Sequence, residues 1–123
     1  MAIDPKGADL KRLLNEDPDG PVVMLNLLRF ARGKRDQYIQ YVREFRPFGE
    51  KYGAHIIYAG DGSTAVVAER GQAWDAVLLV QYPSRLAFSR MVADPKYQKI
   101  THLRTAALTE AVLQATTPWP ELN

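Results

Sequence analysis

The side chain with most to explain in this sequence is Asn26. It interrupts the run Val22-Val23-Met24-Leu25-Asn26-Leu27-Leu28, where an amide is costly to bury unless it finds hydrogen-bond partners. It is therefore either tied to neighbouring backbone or aimed at a ligand, and in the second case it would polarise a carbonyl oxygen. Arg104 offers the same chemistry with a full charge. Tyr97, Thr101, Arg104 and Leu108 recur at i, i+4, i+7 and i+11, so on a helix a guanidinium and a phenol would lie side by side near an apolar stripe. That arginine either fixes the helix by pairing with a buried carbonyl or carboxylate, or clamps an anion. The two histidines are candidate proton carriers. His55 opens a β-rich run, where it is either a surface residue at a strand end or part of a cleft, and His102 shares a helical segment with Arg104. Asn26, His55 and Arg104 are thus the candidate catalytic residues, and Arg29, Tyr38, Tyr58, Trp74, Tyr97 and His102 the candidate ligand contacts.

Other chemistries drop out. The 123 residues include no cysteine, which removes disulfides, thiolate metal sites, redox motifs and thiol nucleophiles. With two histidines and no His-Glu-x-x-His spacing, no metal site and no cofactor are expected. Asn15-x-Asp17-x-Asp19-Gly20 imitates the start of a calcium loop, but the position of the bidentate glutamate falls on Asn26, so a structural turn is expected. Gly60-Asp61-Gly62-Ser63-Thr64-Ala65 imitates a dinucleotide fingerprint, yet β-formers follow where a helix would have to hold the pyrophosphate. Ser63, Ser84 and Ser89 sit in no nucleophile-elbow sequence, so hydrolase chemistry is disfavoured. Sixteen basic residues against 14 acidic leave a net charge of +2, which does not argue for nucleic acid. The cluster Arg29, Arg32, Lys34 and Arg35 is either a solvated loop or an attractor for an anionic ligand.

The elements that must position these groups follow from periodicity. The length suits a single domain over residues 1–123, with a leading helix and turn in 1–20 and an extended tail at 117–123. Leu10, Leu13 and Leu14 have helical spacing before the turn Asp17-Pro18-Asp19-Gly20. Val22–Phe30 and residues 74–82 are apolar on both alternating faces, the pattern of strands covered on both sides. Tyr38, Tyr41, Val42, Phe45, Phe48 and Tyr52 make an amphipathic helix over residues 34–52, kinked near Pro47 and closed by Gly53. Residues 54–59 and 64–69 read as a hairpin about Gly60-Asp61-Gly62-Ser63. Ser84 caps a helix, Asp94-Pro95 starts another over residues 95–108, and a last strand falls at 110–116. Pro118-Trp119-Pro120 suits an extended arm.

Setting the leading helix aside, and counting the hairpin and the broken helical stretch after Ser84 once each, the order is β-α-β-β-α-β, an α+β ferredoxin-like arrangement with an antiparallel sheet. Two helices cover one sheet face, so the second apolar face calls for burial against another copy of the chain. Several segments carry a resemblance: Pro21 to Phe30, Tyr38-x-x-Tyr41, Tyr52-Gly53-Ala54, Tyr82-Pro83-Ser84-Arg85, Asp94-Pro95-x-Tyr97-Gln98 and Arg104-x-x-Ala107. Over residues 21–116 the chain resembles a bacterial family of dimeric α+β barrels catalogued only as a domain of unknown function. The resemblance implies a ferredoxin-like protomer that dimerises through its sheet, and it implies no reaction. The wider superfamily holds cofactor-independent monooxygenases, polyketide cyclases, lactone isomerases, haem-binding enzymes and proteins without known activity.

The expectation is a homodimer binding a small organic or aromatic molecule in a cleft between sheet and helices. As an enzyme it would be a cofactor-independent isomerase, cyclase or monooxygenase, with Asn26 or Arg104 polarising a carbonyl and a phenol or His55 moving the proton. The alternative is a non-catalytic ligand-binding or interaction protein. No signal-peptide core or membrane span is read, and the absence of cysteine favours the cytoplasm.

Overall fold

The computed structural model describes residues 3–122. In chain order the elements are α1 (Gly7–Glu16), β1 (Val22–Phe30), α2 (Arg35–Lys51), β2 (His55–Asp61), β3 (Ala76–Tyr82), α3 (Arg85–Ala93), α4 (Pro95–Gln98), α5 (Thr101–Ala107) and β4 (Leu108–Thr116). The strands form one antiparallel sheet in the order β2-β3-β1-β4. This is the expected ferredoxin-like α+β fold with an extra N-terminal helix.

Local chemistry sets the helix boundaries. The Ser84 hydroxyl accepts from Ala87 N at 3.0 Å and starts α3, while the Asp94 carboxylate accepts from Lys96 N at 2.9 Å and starts α4 with Pro95 in first position. Helix α2 runs unbroken through Pro47 and stops in a Schellman motif: Gly53 N donates to Glu50 O, Ala54 N to Gly49 O, and Gly53 takes φ +77°. Gly20 N donates to the Asp17 carboxylate at 3.0 Å, closing the turn before β1.

Register separates the two faces of the sheet. Val22, Met24, Asn26 and Leu28 of β1 lie in rows with Leu78, Val80 and Tyr82 of β3 and with Ala111, Leu113 and Ala115 of β4. This face is covered by helices, and its residues join Tyr38, Tyr41 and Phe45 of α2, Phe88 and Met91 of α3 and Tyr97 of α4 in the core. The opposite face carries Val23, Leu25 and Leu27 beside Val77, Leu79 and Val112. These six remain partly exposed around an apolar centre, rimmed by the exposed His55, Gln81 and Gln114.

Three elements differ from expectation. Residues 64–69 form no strand: Val66 and Val67 are 90% and 94% exposed, in a long loop from 62 to 75 that joins β2 to β3. Their β-propensity is not used because β3, with its five consecutive apolar residues Ala76 to Val80, fits the central slot of the sheet and leaves β2 at the edge. The expected helix over residues 95–108 is interrupted at Lys99–Ile100, giving α4 and α5. The tail ends in a single 3-10 turn, Pro120–Leu122, rather than staying extended throughout.

Candidate functional site

A cavity of about 210 Å³ opens between the covered sheet face and the helices. Its floor is Met24 and Asn26 of β1 with Leu78 and Val80 of β3, and its wall is the aromatic face of α2. Helices α3 to α5 supply Phe88, Met91, Tyr97, Thr101 and Arg104. Asp4 and Pro5 line its edge, bringing the segment before α1 into the site.

Arg104 is the centre of its electrostatics. The guanidinium projects from α5 and only 7% of its side chain is exposed. One nitrogen, Nη1, donates to Ile3 O at 2.6 Å and approaches the Asp4 carboxylate at 3.5 Å. That carboxylate accepts a closer bond from the Thr105 hydroxyl, at 2.8 Å. The other nitrogen, Nη2, is buried and has no hydrogen-bond partner. Among the described residues, only Ser89 Oγ shares that state. A charged donor left unpaired in an apolar interior carries the full cost of its desolvation.

Four phenols share the cavity. The Tyr41 and Tyr97 hydroxyls are 2.6 Å apart, a short bond between α2 and α4. Burial pushes Tyr38 up to about 12, against the pull of the Arg104 charge. Burial also raises Tyr41 well above its ordinary value, helped by Tyr97, and raises Tyr82 strongly. Tyr97 is raised by burial while the Tyr41 bond and the Arg104 charge oppose it. All four are therefore neutral hydroxyls at physiological pH, able to donate but poorly suited to act as bases. Asn26, 8% exposed, makes a long bond from Nδ2 to the Met24 carbonyl at 3.4 Å.

Of the residues singled out from the sequence, Asn26, Tyr38, Tyr97 and Arg104 converge on this cavity. The other five lie elsewhere. His55 pairs with Gln81 and Tyr58 with Leu79, which puts both on the open face. A bulge between Ile56 and Tyr58 shifts the register there. His102 is exposed on α5. Arg29 pairs with Glu110 through Nε at 3.1 Å and reaches Ala73 O and Gly71 O, with its guanidinium 4.6 Å from the Trp74 ring centroid. Arg29 and Trp74 thus anchor the 62–75 loop, and Arg35 is likewise engaged, by both Asp61 oxygens. Two of the four residues of the expected basic cluster, Arg29 and Arg35, are in this way occupied by the protein's own acceptors. Sequence reasoning gave no role to Tyr82 in polar chemistry, nor any to Asp4 and Pro5, whose place at the cavity depends on a contact a hundred residues away in the chain, from Arg104 to Asp4.

The sequence from residue 27 to residue 116 matches the family described as Domain of unknown function (DUF1330). The chain belongs to that family. This DUF1330 protein is similar in structure to a protein of unknown function from Rhodopseudomonas palustris, at 29% identity and a TM-score of 0.85, with 95% of this chain and 96% of that chain covered. More distant likenesses show the fold alone. One is a dimeric ferredoxin-like protein of unknown function from Jannaschia sp. CCS1, at 10% identity and a TM-score of 0.61 over 80% of this chain and 100% of that one. Another is a hydroxynitrile lyase from Passiflora edulis, at 13% identity and a TM-score of 0.62 over 80% and 94%. Among curated proteins nothing matches the chain.

Proposed function

We propose that this DUF1330 protein binds a small organic molecule in the cavity of each protomer and works as a homodimer joined through the open sheet face. The observation that carries the binding reading is Arg104 Nη2, a buried cationic donor without a hydrogen-bond partner in a chamber lined by apolar and neutral polar side chains with Asp4 at its edge. A ligand oxygen placed there would complete its hydrogen bonding. Asn26 supplies a second polar group on the floor, and the phenols supply neutral donors along the wall. The volume suits one ring or a short chain, since a cavity of roughly 150 Å³ already accepts benzene.

The dimer reading rests on Leu25, Leu27, Val77, Leu79 and Val112, an apolar centre that no helix covers. A self-complementary sheet face of this kind suits isologous pairing. The Jannaschia protein of the same fold is dimeric.

A catalytic version of the reading uses the same groups. Arg104 and Asn26 would stabilise negative charge developing on a carbonyl oxygen, as in enolisation, cyclisation or oxygenation of an activated substrate. The proton would pass through a cavity phenol or bound water, because His55 lies on the open face. The upward displacement of all four phenols favours binding over base catalysis.

A thermal-shift and ligand-observed NMR screen of single-ring and short-chain oxygenated molecules tests this function. Binders to the wild type that weaken in Arg104→Met and Asn26→Leu support it. A full screen without a binder overturns it, and a monomeric mass by light scattering at micromolar concentration overturns the dimer.

A further inference from the structure

We infer that the ligand this cavity is built for is a small monocarboxylate, its carboxylate bound by Arg104 and its apolar body lying against Leu78, Val80, Phe45 and Phe88. The inference rests on the binding reading above and adds the charge and class of the molecule.

Charge is the first argument. Among the described residues, Asp4 is the sole acidic residue at the cavity and no second cationic side chain lines it. The Asp4 carboxylate lies 3.5 Å from Nη1, is half exposed to solvent, and takes its short bond from Thr105. The guanidinium is therefore a buried cation whose acidic partner reaches one nitrogen only, the Tyr38 hydroxyl beside it being neutral. A neutral carbonyl would satisfy the hydrogen-bonding capacity of Nη2 but leave the charge. A carboxylate satisfies both, through a charge-assisted bond roughly twice as strong as a neutral one.

Charge number is the second. With a single guanidinium in the described lining, a dicarboxylate or a dianionic phosphate would bury a second negative charge without a partner. Tyr38, and whichever of Tyr41 and Tyr97 does not donate within their mutual bond, can donate to one anion's remaining lone pairs, but they bring no positive charge.

Preorganisation is the third. The bond from Nη1 to Ile3 O fixes the guanidinium before any ligand arrives, and the segment holding that carbonyl also supplies Asp4 and Pro5 at the cavity edge. An arginine already immobilised loses little side-chain entropy on binding. Met24, Met91 and Val92, beside the apolar residues named above, fit an apolar tail.

The test is calorimetry on the 123-residue chain with benzoate, phenylacetate and hexanoate, each beside its primary amide. At least one carboxylate is expected to bind about tenfold or more tightly than its amide, a difference of about 1.4 kcal/mol. Arg104→Lys should keep the preference at lower affinity, and Arg104→Met should abolish it. If amides bind as well as acids, or if neutral molecules from the wider screen bind while all three acids do not, the carboxylate assignment is overturned and the cavity remains a binding site. If nothing in either set binds, both fall. The wild-type comparison decides the matter even if Arg104→Met fails to fold, which circular dichroism would reveal.

Discussion

The hydroxyls of Tyr41 and Tyr97 meet at 2.6 Å inside the protein. Tyr41 belongs to α2 and Tyr97 to the single turn of α4 that follows Asp94, so this bond ties the long helix to the segment that leads into Arg104. Phe48 packs edge-on against the same Tyr97 ring at 5.8 Å. Replacing either tyrosine by phenylalanine leaves the other hydroxyl with one partner fewer and should cost about 1 kcal/mol. The double variant should cost less than the sum of the two, as expected for one shared bond. Urea unfolding of the three variants measures this coupling, and strict additivity would show that the bond contributes nothing.

Asp94 should govern acid stability. Its carboxylate accepts from the Tyr52 hydroxyl at 2.8 Å, from Lys96 N and from Lys51, which together hold its pKa down to about 2. A carboxyl group with a depressed folded-state pKa stabilises the fold fully above its unfolded value near 4, and that stability disappears as pH falls toward 2. Asp94→Asn keeps a capping oxygen but removes the charge. In an acid titration of the melting temperature, the variant should show a shallower slope between about pH 4 and pH 2 than the wild type. Parallel slopes would mean another carboxylate dominates.

Gly53 should resist substitution. Its φ of +77° lies in the left-handed region, and a Cβ there would stand 3.0 Å from Pro83 Cγ. Gly53→Ala is expected to destabilise by about 1 kcal/mol or more. Equal melting temperatures would show that the end of α2 relaxes freely.

Arg29→Met should release the 62–75 loop. The wild-type guanidinium holds Gly71 O, Ala73 O, Glu110 and the Trp74 ring together. Limited proteolysis should then cut within the loop faster than in the wild type, and Trp74 emission should shift as its ring is freed. Ligand affinity should not change, because Arg29 lies away from the cavity. A change in affinity would show that loop and cavity communicate.

Leu79→Arg places a charge at the centre of the open face, in the row of Leu25, Tyr58 and Gln114. If two copies meet there, the variant should sediment as a monomer while keeping its circular dichroism. An unchanged oligomeric mass would move the interface elsewhere.

Much of this was legible in the sequence, and the failures have a common origin. The two-faced apolar strands, the caps Ser84 and Asp94, the closing Gly53 and the ferredoxin-like order all depend on short-range chemistry, which a sequence displays directly. Residues 64–69 misled because β-propensity records fitness for a pleated surface without saying whether a neighbouring strand is available. Of the two readings open for His55, the surface one agrees with its pairing to Gln81, and a bulge at Ile56/Tyr58 turns the candidate ligand contact Tyr58 to the same open face. Asn26 and Arg104 stood out because polar groups in apolar runs demand partners. Which partners they meet depended on Ile3 and Asp4, whose approach is tertiary and leaves no local pattern.

The face division of β1 has one more consequence. Since Val23, Leu25 and Leu27 are as apolar as Val22, Met24 and Leu28, hydrophobicity alone barely distinguishes the native pairing from one slipped by a single residue, which would turn Asn26 outward and dismantle the cavity floor. The discrimination must come from polar fastenings at the strand ends: Arg29 to Glu110, Phe30 N to the Asp75 carboxylate, Asp75 N to Leu28 O, and the Thr116 hydroxyl to Val23 O. These contacts act as a ruler for the folding chain. A variant weakened at several of them would be liable to trap misaligned sheets, with loss of native yield on refolding outrunning the loss of equilibrium stability.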